Sequence, residues 1–187
     1  MPEPSPARML QRLLRDRRGV SAVEFALIAP LLILIFVGAV TVGSFANVAR
    51  HVNTVAFTIG NLATQTQTLH DADITDIFAV GKVVIAPVDV TRLTMRLTSI
   101  QAVSVNNGPI TDVIQWSDAS NIAAKTVGTA VTLPAGLLTT AGDSVVLGEA
   151  TYAFVSPGAL MFPDGLTISK QFYFHPRNSQ TVARVSP

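Results

Sequence analysis

The chain has 187 residues, of which 49% are hydrophobic and only 13% are charged, and it contains no cysteine. Without cysteine it cannot form a disulfide framework, a thiolate zinc site or a cysteine nucleophile. The length fits one small domain with an appendage. The net charge of +1 conceals an asymmetry, because residues 1–19 carry five arginines against two carboxylates, and residues 20–187 carry eight basic and ten acidic side chains.

An uncharged apolar run follows the arginines and extends from Phe25 to Phe45. About twenty such residues suffice to cross the hydrocarbon core of a bilayer. We therefore predict a transmembrane helix over residues 20–45, after a basic leader over residues 1–19 that stays cytoplasmic. A nucleic-acid-binding arm is the rival interpretation of the arginine cluster. The adjacent span argues against it, so no nucleic acid is expected as a partner.

Three features of this run bear on how the helix works. Pro30 removes one backbone hydrogen bond and is expected to kink or loosen the helix, which membrane helices tolerate. Two pairs of small residues, four apart, would let helix backbones approach closely; they are Ala22 with Ala26 and Ala39 with Gly43. Glu24 places a carboxylate at the mouth of the span, where an ionisable group is costly and is a functional hypothesis by default.

Two simpler interpretations of the N-terminus stay open. A secretory signal peptide would be cut after Ser44-Phe45-Ala46, so that the mature chain begins near Asn47. A plain uncleaved anchor would keep Met1, with Glu24 reaching the headgroup region. Under either interpretation the remainder is a signal-anchored or secreted periplasmic domain that binds a ligand or polysaccharide and has no link to pili.

The end of the basic leader fits the type IV prepilin processing pattern, in which a basic leader ends in glycine and cleavage follows it. The matching segment is Gly19-Val20-Ser21-Ala22-Val23-Glu24-Phe25. More narrowly, the stretch over residues 17–43 resembles the TadE-like pseudopilins of the tight-adherence (Flp, type IVb) pilus system. Its sequence is RRGVSAVEFALIAPLLILIFVGAVTVG. Beyond about residue 45 the resemblance rests on size, the order of elements and the ending HPR at residues 175–177. Members often carry a second acidic residue late in the helix, where this chain has Thr41.

The resemblance implies a pseudopilin, a minor pilin-like subunit that acts in pilus assembly and surface adhesion. A prepilin peptidase would cut between Gly19 and Val20, and Glu24, Phe25 and Pro30 would belong to the assembly helix. Its other partners would be the pilus assembly machinery, other pseudopilins or pilin, and inner-membrane lipid. The chain would be a single-pass protein of the bacterial inner membrane with a periplasmic C-terminal domain, and neither enzymatic activity nor a cofactor is expected.

The spacing of Val20 and Glu24 suggests why the glutamate is there. Residues four apart lie on the same side of a helix, and a new α-amine on Val20 would be largely protonated near neutral pH. A carboxylate also suits the N-terminal end of a helix dipole. We therefore expect Glu24 to offset the ammonium of Val20, from the same subunit or a neighbouring one, when subunits pack.

Beyond the membrane we predict an α+β fold, in which the long N-terminal helix continues as an amphipathic half and a small, mainly antiparallel sheet of about four strands follows. The amphipathic half covers residues 46–69, and its apolar stripe docks on the following domain or, alternatively, on a neighbouring subunit. The stripe comprises Val48, Val52, Val55, Ile59, Leu62 and Leu69. The periplasmic domain covers residues 70–175, and a poorly ordered tail covers residues 176–187.

Within the domain, a helix is predicted over Asp73–Ile85, capped by Asp71 or Asp73 and ended by Pro87. Strands are predicted over residues 91–105 with a bulge near Ile100, and over residues 110–117, 144–155 and 166–175. Residues 106–109 form a turn, and residues 120–143 form an exposed loop with one short helix at 134–138. Ile114 shares a face with Trp116, as do Leu166, Ile168, Phe172 and Phe174.

The sequence offers little chemistry. His51, His70 and His175 are scattered and lack acidic neighbours at ligand spacing. Asp71, Asp73 and Asp76 suggest calcium, but they lack the glycine turn and terminal glutamate of an EF-hand loop, so helix capping explains them better. No metal site is predicted, and we expect a structural rather than a catalytic protein.

Overall fold

The computed structural model describes residues 18–104, 108–156 and 165–185. The chain divides into two compact units, Met1–Gly43 and Ser44–Pro187. In chain order the elements are α1 (Arg18–Ala63), β1 (Thr68–Leu69), α2 (Asp71–Ile85), a short 3-10 turn (Val90–Arg92), β2 (Leu93–Val103), β3 (Thr111–Ser120), β4 (Ala130–Val131), β5 (Ser144–Phe154), β6 (Leu166–Phe174) and β7 (Ala183–Arg184).

The predicted fold class is confirmed, because a long apolar helix precedes a small antiparallel sheet, and the described residues contain two α-helices. The main sheet has the order β4-β3-β2-β5-β6, and each neighbouring pair in it is antiparallel. Four of its strands are long, and the two-residue β4 is the fifth. A separate two-stranded pair joins β1 to β7 in parallel.

The C-terminal half of α1 packs on one face of this sheet, as its apolar stripe predicts. Val52, Val55 and Ile59 are fully buried, and they share one core with residues of β2, β5 and α2. Complete burial of a valine or isoleucine stabilises a fold by about 1.5–3 kcal/mol. The stripe is therefore covered by its own domain and not by a neighbouring subunit.

Two glycines let α1 approach the sheet closely. A Cβ added at Gly148 of β5 would lie 2.7 Å from the Ala56 carbonyl oxygen and 3.0 Å from the Gly60 Cα, both on α1. A Cβ added at Gly60 would lie 2.5 Å from Phe174 Cε2. Gly60 weakens the helix intrinsically, but the same missing side chain is what permits this contact.

The bulge predicted near Ile100 is confirmed, and it alters the face of one predicted residue. Ser99 pairs with Trp116 and Ile100 with Ile114, so Gln115 is the extra residue of β3. The prediction that Ile114 and Trp116 share a face is wrong. Trp116 lies in the main core, whereas Ile114 lies in a second, smaller cluster, because one inserted residue reverses the alternation of side chains.

The segment over residues 120–143 covers that second cluster. The predicted short helix at residues 134–138 is wrong. The chain makes only a turn, in which the Leu137 N–H donates to the Pro134 carbonyl at 3.3 Å, and Gly136 adopts a φ of 84° that a helix does not allow. Leucine side chains of this segment pack against the sheet face opposite α1, so the loop is not simply exposed; they are Leu133, Leu137 and Leu138.

Two helix boundaries differ from the prediction. The amphipathic helix ends at Ala63 and not at residue 69, because the Thr64 hydroxyl donates to the Asn61 carbonyl at 2.9 Å and competes with helical bonding. Leu69 is still buried, but from strand β1. Helix α2 starts at Asp71, two residues earlier than predicted, and its N-cap is His70 rather than Asp71 or Asp73. The Asp73 carboxylate accepts the His70 backbone N–H at 2.8 Å from the third helical position.

The strands otherwise lie close to their predicted positions, with β3 extending to Ser120. Ile168 is buried, and Phe172 packs on the same core, so the predicted inner face of β6 is confirmed at these positions. The predicted turn at residues 106–109 lies partly outside the described residues, since 105–107 are not among them.

The prediction of a poorly ordered tail is wrong over residues 176–185, which we call the C-terminal segment. Val182 is 2% exposed, and its carbonyl accepts the Trp116 indole N–H at 2.7 Å. Arg184 pairs with Asp118, at 2.9 Å, and with Asp71. Hydrogen bonding to Asp118 raises the pKa of Arg184, against the opposing effect of burial and with a further contribution from Asp71. The polar composition of this segment does not indicate these specific contacts. They extend the folded domain past residue 175.

We predict that Arg184→Ala lowers the free energy of unfolding by about 2 kcal/mol, between the values of exposed and fully buried ion pairs. The reason is that Asp118 and Asp71 lose their shared cation. The measurement is urea denaturation of the full chain in detergent micelles, followed by the fluorescence of Trp116, the single tryptophan.

The matched control is Arg92→Ala, because Arg92 pairs with Asp89 on the exposed surface at 3.3 Å. That change should alter the free energy of unfolding by less than about 0.5 kcal/mol. Equal effects of the two substitutions would show that the Arg184 pairs do not hold the C-terminal segment.

Candidate functional site

The first half of α1 exposes a continuous apolar surface. Val20 is 56% exposed, Phe25 70% and Leu27 74%. The most apolar 18-residue window of α1 has a mean hydropathy of 2.8, and only 6% of it is buried. A core helix of a soluble protein would be covered on most of its surface, so this helix fits a single-pass membrane anchor.

The predicted processing residues lie within this helix. Gly19 and Val20 are both exposed, and among the described residues no atom beyond the adjacent helix backbone lies within 4 Å of a Cβ placed on Gly19. Glycine is a poor helix former, and Gly19 is the second residue of α1. The bond between the two residues therefore lies near a helix end, where local unwinding costs little.

Val20 and Glu24 lie one helical turn apart on the same side of α1, and both are exposed. Glu24 forms no ion pair with any residue that the structure describes. Its carboxylate is thus available to a cation from outside the described residues.

The predicted small-residue pairs face other directions. At about 100° per residue, the Ala22–Ala26 pair points roughly 160° away from the Val20–Glu24 side, and the Ala39–Gly43 pair about 100° away. All four small residues are exposed. The helix thus offers separate surfaces for charge pairing and for close backbone contact.

Two further positions of the span, Pro30 and Thr41, lie within the continuous helix. Pro30 lies inside α1, which continues on both sides of it, and the expected kink stays a prediction. The Thr41 hydroxyl donates to the Val37 carbonyl at 2.8 Å. Where the resembling family often has a second acid, this chain therefore has a group that needs no external partner.

A second charge cluster, besides that of Arg184, lies on the sheet face opposite α1. Glu149 accepts from Arg96 Nε at 2.8 Å, and Lys125 Nζ lies 2.9 Å from it. Burial raises the pKa of Glu149, but the hydrogen bonds from Arg96 and Lys125 outweigh it and leave that pKa below its ordinary value. The stabilisation is therefore present near neutral pH and is lost as the pH falls through the lowered pKa.

This cluster contains neither a nucleophile nor a metal-ligand set. The three histidines remain apart, and the His51 ring nitrogen lies 3.3 Å from the Val84 carbonyl. Across residues 18–104, 108–156 and 165–185, no group of three histidine, aspartate or glutamate side chains could hold a metal ion. Asp71 and Asp73 serve instead in an ion pair and a helix cap.

A groove between α1 and β6 was missed from the sequence. Its lining comprises Ala49, Arg50, Asn53, Thr54 and Lys170. The two basic residues are far apart in the chain, and only the packing of β6 beside α1 brings them together. The alternation of β6, which puts Lys170 on the face of Ile168 and Phe172, is the signal that could have indicated it.

Taken together, an exposed apolar helix with one carboxylate and an appended α+β domain fit a protein with a single-pass membrane anchor. The family model described as TadE-like protein matches residues 19–61. This match confirms the resemblance seen over residues 17–43 and extends it into the amphipathic half of α1. It is consistent with a TadE-like protein of the tight-adherence pilus system. No curated protein and no solved structure matches the chain.

We predict that a chain consisting of residues 44–187 folds and is released from membranes by alkaline carbonate, whereas the full chain stays in the membrane pellet. The reason is that the buried core lies within Ser44–Pro187, and the exposed apolar surface lies before it. Fractionation and cooperative urea unfolding of the short chain provide the measurement.

The control is a chain lacking only residues 1–19, which should remain with the membrane after carbonate treatment. Release of the full chain into the supernatant would contradict the membrane anchor.

Proposed function

We propose that the chain is a pseudopilin subunit of a tight-adherence pilus, trimmed by a prepilin peptidase between Gly19 and Val20 and assembled through the first half of α1. The observation that carries this proposal is the exposed Glu24 one turn from Val20, within the segment that matches the TadE-like family. An ionisable residue in a membrane helix is costly and marks a functional site by default.

Hydrolysis of the Gly19–Val20 peptide bond leaves a carboxylate on the leader and an ammonium on Val20. That ammonium then begins a helix whose next residues are apolar and exposed to lipid or to other helices. An unpaired charge in such surroundings costs several kcal/mol. Glu24 lies on the same side of the helix and offsets this cost, within one subunit or across two.

Pairing across two subunits would also fix their axial register. The Val48–Ile59 stripe is already buried in the subunit's own domain, so contacts between helices of different subunits fall to residues 20–43. There the small pairs Ala22–Ala26 and Ala39–Gly43 permit close approach. The charged side and the small-residue sides could then engage different neighbours in a bundle.

The five arginines of the leader favour a cytoplasmic N-terminus, which places the α+β domain in the periplasm. In this orientation the domain supplies the contacts with the assembly machinery, other pseudopilins or pilin, and takes part in surface adhesion. The peptidase and the machinery carry out the chemistry, and the chain acts as their substrate and component.

We predict that Glu24→Ala and Glu24→Gln are trimmed normally but reduce incorporation into assembled pili, or assembly of pili, by about tenfold or more, since the ammonium of Val20 loses its counter-charge. Glu24→Asp keeps the charge and should retain part of the pilus assembly. The measurement is the amount of surface pili per cell, normalised to the mature chain in the membrane.

Ser21→Ala is the matched control, because it changes a neighbouring exposed polar residue without removing a charge. Normal piliation with Glu24→Gln would leave Glu24 as a residue that merely reaches the headgroups, and the charge-pairing mechanism would be rejected.

A further inference from the structure

One end of the main sheet lies beside the residue at which the predicted span ends. The Phe45 and Phe154 rings meet edge to face, with centroids 5.4 Å apart. Phe154 ends β5 and pairs with Leu166 at the start of β6. At this end two apolar side chains remain exposed, Val155 by 42% and Leu166 by 36%. Because Phe45 is the last residue of the apolar run, this end of the domain lies near the bilayer surface.

The groove between α1 and β6 lies on the same part of the domain. Arg50 follows Phe45 by five residues, an axial rise of about 8 Å along a helix. Lys170 lies on β6 two positions beyond Ile168, and both basic side chains line the groove and are exposed. The distance from the end of the span is close to one Debye length at physiological salt, about 8 Å.

The groove lacks compensating negative charge. None of its lining residues is acidic. Neither Arg50 nor Lys170 forms an ion pair with any residue in the described part of the chain. Elsewhere in the domain, Arg96, Lys125 and Arg184 each have a carboxylate partner. Two like charges facing one groove without a counter-charge repel each other, so an external anion would stabilise this arrangement.

We propose that this groove, which we call the basic groove, binds the phosphate of an anionic phospholipid headgroup in the leaflet from which α1 emerges. Arg50 and Lys170 supply the positive charge, and the Asn53 amide supplies a further donor. The exposed Val155 and Leu166 extend the contact towards the acyl boundary, as in interfacial protein surfaces. The lipid would bind the domain at the membrane surface. This inference depends on the membrane anchor and not on the pilus role.

The absence of cysteine makes a site-specific test direct. Asn47→Cys, three residues before Arg50 and exposed, provides one labelling site for a fluorophore on the full chain reconstituted in phosphatidylcholine nanodiscs. Quencher-bearing phosphatidylglycerol or quencher-bearing phosphatidylcholine is then titrated in. Quenching acts at short range, so lipids at the arginine leader do not contribute.

We predict that phosphatidylglycerol quenches the label at a lower mole fraction than phosphatidylcholine does. Arg50→Gln or Lys170→Gln should each weaken this preference about fivefold, the typical effect of one basic residue near an anionic membrane surface. The double variant should abolish it, high salt should reduce it, and Arg50→Lys with Lys170→Arg should retain most of it.

Two controls isolate the groove. Lys82→Gln removes an exposed cation from the last turn of α2, outside the groove, and should change nothing. A label at Thr111→Cys, at the opposite end of β2 and β3 and about 33 Å along the strand from Leu93, should show no preference between the lipids.

Equal quenching by the two lipids in the unsubstituted groove would overturn the proposal and would leave an acidic segment of another protein as the occupant. A preference that survives in the double variant would overturn it too, because another surface would then bind the lipid. A chain that is trimmed and assembled normally but shows neither effect would separate the failure of this inference from that of the pseudopilin role.

Discussion

The exposed apolar surface of α1 between Val20 and Phe36 is the constraint on which the rest of the molecule depends. Exposure of this surface to water is unfavourable, because burial of apolar surface is the main favourable term in folding and association. The chain's own core cannot cover it either, since that core is built within Ser44–Pro187. Lipid or other helices must do so, and under the proposed function the carboxylate of Glu24 meets a cation there. A new N-terminus one turn away is the nearest such cation that processing could create.

The second half of the same helix solves a different problem. Its stripe is covered by β2, β5 and α2, and the close approach at Gly60 and Gly148 brings two backbones together without intervening side chains. This half of the helix is therefore packed against its own domain, whereas the half before it stays exposed. This division explains how one continuous element can belong to a folded domain and still present an exposed apolar surface.

The sequence was sufficient to predict the structure where apolar residues recur with a strong periodicity, or where one residue would be costly to bury. The span, the stripe, the bulge near Ile100 and the inner positions of β6 were predicted in this way. What could not be predicted depended on pairings between distant residues. The bulge separates Ile114 from Trp116 because of one extra residue in the partner strand, and the C-terminal segment is ordered by Arg184 and its two carboxylates. Arg50 and Lys170 were missed for the same reason. The TadE-like resemblance, in contrast, needed only contiguous residues and was visible at once.

The N-terminal residue of the mature chain is the measurement that tests the central claim most directly. Protein isolated from the membranes of cells that contain a prepilin peptidase, and sequenced from its N-terminus or weighed intact by mass spectrometry, should begin at Val20. Deleting the peptidase should restore the full leader. A chain that keeps Met1 in the presence of the peptidase, or one that begins near Asn47, would contradict the account, because no ammonium would then lie one turn from Glu24.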